Sequence, residues 1–343
     1  MPNINPLVLW FDSSKRALPW RQFPTPYEVW VSEVMLQQTQ VAVVIPYYLQ
    51  WMELFPTIKA LANAPLEQVI KTWEGLGYYS RARNLHHGAK TVLEKYQGEL
   101  PNSRDELLSI KGLGDYTVGA ILSFAFKQKA PAIDGNVQRV ITRVFGLEED
   151  IVKSTTKKKI LSHVEQLLPE HEPWVVSEAL IELGALICTK KPACMQCPLK
   201  NQCQAFLQGK TAQIPFKSTK QKTEKIHRTV ALIQGQGFYL IRKVPPGEIM
   251  EGLYEFPYFE GNSTPVSAAE QITLRYGLNV TFLEMKARVQ HGFTRFQATL
   301  EPMLFETCAT KPVAGFEWVK EEALLGLPFS SGHRKLAQAL VTT

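Results

Sequence analysis

Several absences bound what this chain can be. No apolar run approaches the ~20 residues that a membrane-spanning helix requires, so no membrane span is expected. The opening stretch MPNINPLVLWFDSSKRALPW lacks a basic segment followed by an apolar run and a small-residue cleavage site. A cytoplasmic protein is the corresponding expectation. There is no internal repeat and no low-complexity tract. Cysteine is scarce, at five residues in 343, and a disulfide framework does not suit a cytoplasmic chain.

What is present points to two domains. A chain of 343 residues exceeds one compact core. Hydrophobic content of 45% and charged content of 20% are those of an ordinary globular protein. The net charge of +6 is concentrated in one place. Residues 209–228, GKTAQIPFKSTKQKTEKIHR, hold five lysines and one arginine against one glutamate. That run reads as a solvated linker, and beside a nucleic-acid site it adds phosphate affinity that salt weakens.

From residue 3 to about 187 the pattern is helical. Residues 26–55, 80–96 and 175–188 place apolar side chains at three- and four-residue intervals. Beyond the linker the texture changes. TVALIQGQGFYLIRKV (229–244) reads as two strands joined by a Gly-Gln-Gly hairpin, 266–277 as a helix and 286–306 as strand again. The expected division is 1–208 helical, 209–226 linker and 227–343 α+β.

Four of the five cysteines, Cys188, Cys194, Cys197 and Cys203, fall within sixteen residues after the last helical segment. Thiolates so close suit one metal centre, either zinc or a 4Fe–4S cluster. One tight C-x-x-C with single cysteines outside it, rather than two paired knuckles, leans toward iron–sulfur in a structural role. Lys190 and Lys191 lie in the loop that such a centre would fix. Cys308 reads as a small buried hydrophobe.

SIKGLGDYTVGAI (109–121) sets Gly112 and Gly114 between two helical segments. A dinucleotide cradle would follow a strand and place its third glycine three residues on; here the next is Gly119, five after Gly114. A helix–turn–helix that points N–H groups at a phosphate, or a plain αα-hairpin, fits better. Asp134, in AIDGNVQRV, occupies the N-cap position of a further helix. Glu33 lies along an apolar stripe with Val29, Trp30 and Leu36. A carboxyl buried there would hold its proton toward neutral pH.

Together these segments carry a resemblance. The helix–Gly-x-Gly–helix turn, the later Asp and the closing cysteines resemble the helix-hairpin-helix DNA glycosylase superfamily. SEVMLQQTQVAVVIPYY, GLGYYSRARNL, KGLGDYTVGAI and IDGNVQRV are similar to its adenine-specific mismatch branch, the MutY family. The resemblance covers nearly the whole chain. It implies an all-α helix-hairpin-helix glycosylase domain ending in an iron–sulfur loop, then an α+β MutT-like (Nudix-fold) domain.

The resemblance also implies a chemistry: excision of adenine mispaired with 8-oxoguanine or guanine in double-stranded DNA. Glu33 is then the acid that protonates adenine N7, and Asp134 stabilises the sugar cation. Tyr116 and Glu178 complete the adenine pocket, and Asn136 orients Asp134. Gln38 and Thr39 wedge into the stack and contact 8-oxoguanine, and Tyr78 intercalates beside that base. Gly112 and Gly114 hold a DNA phosphate. Phe293 and Thr294 belong to the 8-oxoguanine recognition loop, where the family's Phe-Ser-His is here Phe293-Thr294-Arg295. A 4Fe–4S cluster on the four cysteines, a monomeric state and transient repair or replication partners complete the picture. The family's six-residue gap between the first two cysteines is five here, and Glu270 stands alone where diphosphate hydrolysis needs several glutamates. The rival readings are an endonuclease III-like glycosylase/lyase, which places a lysine where this chain has Tyr116, and a non-catalytic nucleic-acid-binding protein.

Overall fold

The computed structural model describes residues 2–22, 24–218, 223–293 and 295–341. Thr294 and residues 219–222 of the basic run therefore lie outside the described residues. Two compact units emerge, Met1–Asn63 with Asn84–Lys220 and Ala64–Arg83 with Gln221–Thr343.

The first unit is helical, and its centre is the Pro26–Leu36 helix. Thr25 starts that helix with a reciprocal cap: its hydroxyl accepts the Glu28 N–H (3.2 Å) and the Glu28 carboxylate accepts the Thr25 N–H (2.9 Å). Pro26 sits at a position where its missing N–H costs nothing. Tyr27 and every residue from Val29 to Met35 are buried, so the helix is enclosed around its circumference rather than amphipathic. Glu33 is the one acid in that enclosed stretch. The helical periodicity of 26–55 is carried by two helices: the chain breaks at Gln37–Gln40 and resumes at Val41–Leu54. Gln38 supplies the break by taking a left-handed backbone, φ 58°.

A second packed cluster joins the Asn5–Ser14 helix, through Leu7 and Phe11, to Gly135–Phe145, Ser154–Leu167 and Pro173–Leu186. Val140, Ile141, Ile160, Leu180 and Leu183 are its centre. The predicted hairpin lies between Arg104–Ser109 and Asp115–Ala120, the latter running on as a π-helical turn over Ile121–Ala125. Its two glycines differ. Gly112 has φ 94°, and a Cβ there would lie 2.7 Å from Asn84 Cβ; Gly114 has φ −104° and open space. The close approach comes later, at Gly119, where a Cβ would stand 2.0 Å from the Pro131 carbonyl oxygen. That contact lays the segment leading to Asp134 against the helix.

The second unit holds an eight-stranded sheet. Its strands are β1 (Glu224–Gly235), β2 (Phe238–Lys243), β3 (Tyr254–Glu255), β4 (Tyr258–Glu260), β5 (Thr281–Met285), β6 (Val289–Phe293), β7 (Phe296–Glu306) and β8 (Glu317–Lys320). The main order is β3-β2-β1-β7-β5, with β4 on β1, β6 on β7 and β8 on β2. Among the named strands of the described residues, β1 and β7 alone pair in parallel, from Glu224 opposite Phe296 to Gln234 opposite Glu306. The β1–β2 hairpin turns through Gln236 and Gly237, both at positive φ (53° and 79°), the geometry that matches strand twist. Strand periodicity divides the core between two faces. Val230 and Leu232 join Leu336 and Leu340 of the Ser331–Val341 helix; Ala231 and Ile233 join Ala268 and Ile272 of Pro265–Tyr276.

Residues 64–83 group with this second unit although they precede it by more than a hundred positions. Glu74 is the tie. Its carboxylate accepts from the Phe329 N–H (3.0 Å) and from Arg334 Nε (2.6 Å) and Nη2 (2.8 Å). Lys71 Nζ donates to the Leu325 carbonyl at 2.7 Å.

The glycine contrast gives a stability test. Gly119→Ala should lower unfolding free energy by about 1–3 kcal/mol, the usual cost of overpacking. Gly114→Ala should leave it within about 0.5 kcal/mol. Urea unfolding followed by circular dichroism checks both, and equal effects would contradict the packing described.

Candidate active site

One cavity of about 770 Å³ in the first unit gathers most of the predicted residues. Glu33, Gln38, Thr39, Gly112, Gly114, Tyr116, Asp134, Asn136 and Glu178 all line it. They come from five stretches of chain: the central helix, the Gln37–Gln40 turn, the hairpin, the start of Gly135–Phe145 and the Pro173–Leu186 helix.

Glu33 is 7% exposed, and its Oε2 accepts a hydrogen bond from the Tyr116 hydroxyl. Burial pushes its carboxyl up to about 7; the Tyr116 bond opposes this, while nearby Asp134 and Glu178 add to it. The Tyr116 phenol is itself raised well above its ordinary value, first by burial and then by the charges of Glu33 and Asp134. It therefore remains a donor.

Asp134 caps its helix as the sequence predicts. Oδ1 accepts the N–H groups of Asn136 (2.9 Å) and Val137 (2.8 Å), and Oδ2 accepts Asn136 Nδ2 (2.7 Å). Burial raises the carboxyl, and those three donors hold the rise back. Two carboxyls thus share a cavity in different environments, one paired with a phenol and one with three N–H groups. Asn136 is braced in turn by Arg139, whose Nη2 donates to its Oδ1 at 2.7 Å.

Sequence reasoning missed the charge network on the far wall. Glu182 has a fully buried side chain and accepts from Arg16 Nε (2.6 Å) and Nη2 (3.0 Å) and from Arg21 Nη2 (2.9 Å). Burial alone would raise Glu182, but the two guanidinium groups outweigh it and leave the carboxyl below its ordinary value. Arg21 also lies 3.1 Å from Glu178 through Nε. Arg21 is thereby engaged by two carboxylates rather than offered to a phosphate. Glu182 stands four residues after Glu178, one helical turn on, which is the signal that could have revealed it. Arg81 is likewise internal: it donates to the Leu76 and Gly77 carbonyls and lies over the Trp73 ring at 5.1 Å.

Tyr78 and Phe293 do not line this cavity. They line another, of about 520 Å³, within the second unit. Tyr78 is 45% exposed and has a left-handed backbone, φ 48°. Thr294 falls outside the described residues.

The four clustered cysteines surround a small cavity with Arg143 and Pro192. Arg143 Nη1 donates to Cys188 Sγ at 3.3 Å, which brings a cation to the thiols. Among the described residues no three His, Cys, Asp or Glu side chains converge tightly enough for a single metal ion. Four thiols lining one space beside a cation are a donor set whose chemistry suits a metal centre. Lys190 and Lys191 are exposed beside it. Cys308 is exposed, contrary to the expectation of burial, because it follows the end of β7. Among the described residues no helix is long and apolar enough to cross a membrane.

This geometry can be set beside known proteins. Residues 31–170 match the HhH-GPD superfamily base excision DNA repair protein, and residues 228–339 match a NUDIX domain. The class is thus a helix-hairpin-helix DNA glycosylase carrying a NUDIX domain. The trapped endonuclease III–DNA covalent intermediate is similar in fold, with a TM-score of 0.53 and 25% identity, over 60% of this chain and 94% of that one. The adenine DNA glycosylase of Buchnera aphidicola subsp. Baizongia pistaciae is 38% identical over 74% of this chain and 72% of its own. That of Buchnera aphidicola subsp. Acyrthosiphon pisum is 32% identical over 87% and 85%. The chain belongs to the adenine DNA glycosylase family.

The buried acid makes a prediction about stability. Its folded value of about 7 exceeds the ordinary 4.5. Glu33 therefore favours the folded state fully below about pH 4.5, and that contribution is lost as pH rises through about 7. Glu33→Gln should raise unfolding free energy at pH 8, by up to about 3 kcal/mol, and much less at pH 4.5. Denaturant unfolding at the two pH values checks this; an equal effect at both would contradict it.

Proposed function

We propose that this enzyme excises adenine mispaired with 8-oxoguanine or guanine in double-stranded DNA and leaves the strand whole. The observation that carries the reading is Glu33, a carboxyl protonated near neutral pH, in one cavity with Asp134. Adenine extrudes from the duplex at a cost of a few kcal/mol in stacking and pairing. Glu33 gives its proton to adenine N7 while Tyr116 holds the other carboxylate oxygen. The bond from the sugar to N9 breaks, its electrons leave with neutral adenine, and the sugar is left as an oxocarbenium ion. The Asp134 carboxylate stabilises that cation. Water then adds to the sugar carbon and returns a proton to Glu33. Asn136 orients Asp134, and Glu178, held by Arg21, borders the adenine.

The remaining residues serve DNA. Gly112 and Gly114 let the hairpin approach a phosphate, and Gln38 and Thr39 enter the stack from the turn that interrupts the helix. Tyr78 and Phe293, in the second unit, read the base opposite adenine. Cys188, Cys194, Cys197 and Cys203 would hold a 4Fe–4S cluster, which would fix the loop carrying Lys190 and Lys191. We read 1–208 as the excision domain, 209–226 as the linker and 227–343 as the recognition domain of a monomer that works where the DNA is. Tyr116 separates this activity from the lyase branch, because a phenol cannot form the Schiff base that an amine would.

The test is excision from 8-oxoguanine·adenine and guanine·adenine duplexes. Wild type should release adenine and leave an alkali-labile, unnicked strand. Glu33→Gln should lose about 10²-fold or more in rate with duplex affinity within about threefold. Excision of thymine glycol, or a borohydride-trapped adduct formed as fast as turnover, would overturn the reading. Equal losses of rate and affinity in Glu33→Gln would make Glu33 structural.

A further inference from the structure

The excision steps leave one acid of the first cavity without a task. Glu182 lines that cavity, and its side chain is fully buried. Four N–H contacts reach it. Oε1 accepts from the Arg16 backbone N–H (3.2 Å) and Nε (2.6 Å), and Oε2 accepts from Arg16 Nη2 (3.0 Å) and Arg21 Nη2 (2.9 Å). An ionised carboxylate accepts on both oxygens, whereas a glutamine would turn an amide donor toward one guanidinium. A buried ion-pair set is weak support for stability, because well-packed apolar residues often serve as well. The position of this one gives it a more specific role.

Arg21 links Glu182 to the acid. Its Nε lies 3.1 Å from Glu178 Oε2, and its Nη1 donates to the Arg16 carbonyl at 3.1 Å. The groups that act on the charge of Glu33 are Tyr116 from the hairpin helix, Asp134 from the start of Gly135–Phe145, Glu178 from Pro173–Leu186 and Arg21 from the Pro19–Arg21 turn. Arg21 is the one cation of the four, and a cation next to a carboxyl favours loss of its proton. Glu178 is itself raised by burial, against which Arg21 acts first and Lys127 and Lys15 after it. The wall thus sets two guanidinium groups, Arg16 and Arg21, against two carboxyl groups, Glu178 and Glu182. With the cations so occupied, burial decides the state of Glu33.

We propose that Glu182 is a positioning residue for the excision. By engaging both guanidinium groups it holds Arg21 on Glu178 and keeps an uncompensated cation from the Glu33 carboxyl, so that Glu33 enters the reaction carrying its proton. Glu182 touches neither the base nor the sugar; it acts through Arg21. This role rests on the excision reading, since the acid it guards is the acid of that reaction.

The test reads the Glu33 titration midpoint by carbon-13 carboxyl shifts in the DNA-free full chain, for wild type, Glu182→Gln, Arg16→Gln and the double variant. Glu182→Gln leaves one cation in excess and should lower the midpoint by about one pH unit. Arg16→Gln leaves one anion in excess and should raise it by about half a unit or more. The double variant restores the balance and should return to within about 0.3 unit of wild type. In single-turnover excision, Glu182→Gln should lose about tenfold more rate at pH 8 than at pH 5, because its acid gives up the proton earlier. Shifts of opposite sign are what a merely structural role would not produce. Where Glu182→Gln fails to fold, the upward shift in Arg16→Gln decides. An unmoved midpoint in Arg16→Gln, shifts of the same sign in both single variants, or equal rate losses at the two pH values would each overturn the proposal. Absence of adenine release by wild type would strike the excision reading instead, whereas the midpoints, read without DNA, test the hold of Glu182 on Arg21 by themselves.

Discussion

The structure depends on keeping one carboxyl away from water. Glu33 sits where the central helix is enclosed on all sides, so its charged form lacks the solvation that any surface glutamate has. The protein offers a single phenol hydroxyl in compensation and sets two further acids nearby. Desolvation wins, and the group is poised at about 7. Asp134 shows the opposite solution a short way off, with three N–H donors from its own helix start limiting the effect of burial. One acid keeps a proton and the other is built to carry charge. That difference in surroundings, rather than the presence of two acids, is what the proposed acid-assisted cleavage of a glycosidic bond would draw on.

The rest of the first unit can be read as support for that pair. The capping box at Thr25 fixes where the central helix begins and so where Glu33 points. Gly119 lets the Pro131 backbone lie against the hairpin helix and delivers Asp134. On the opposite wall Glu182 pairs with both Arg16 and Arg21, and Arg21 also reaches Glu178. Removing one member of a buried charged set costs about 3–5 kcal/mol, so this wall is rigid for the same reason that it is demanding.

The long helices, the glycine hairpin and the Asp134 cap were legible in the sequence because each follows from local chemistry: period, φ and a side chain that caps its own helix. The β1–β2 hairpin was legible for the same reason. Three features were not. The break at Gln38 follows from a left-handed residue that is not glycine, which no local rule flags. The attachment of residues 64–83 to the second unit rests on Glu74 meeting Phe329 and Arg334, partners about 250 positions away. The internal engagement of Arg21 with Glu178 and of Arg81 with the Leu76 carbonyl was not legible either, because sequence shows a charge and not its partner. The Glu33–Asp134 pair itself lay between these cases. The apolar neighbours of Glu33 were visible, while the Tyr116 bond that orients it needed the fold.

The protonation state of Glu33 near neutrality is the central claim, and it can be observed without any turnover. Carbon-13 carboxyl shifts of the glutamates, assigned by comparison with Glu33→Gln, can be followed from pH 4 to pH 9 in the DNA-free protein. The account predicts one buried glutamate titrating near pH 7, absent from the variant. A Glu33 resonance that titrates near 4.5, like an exposed side chain, would contradict it.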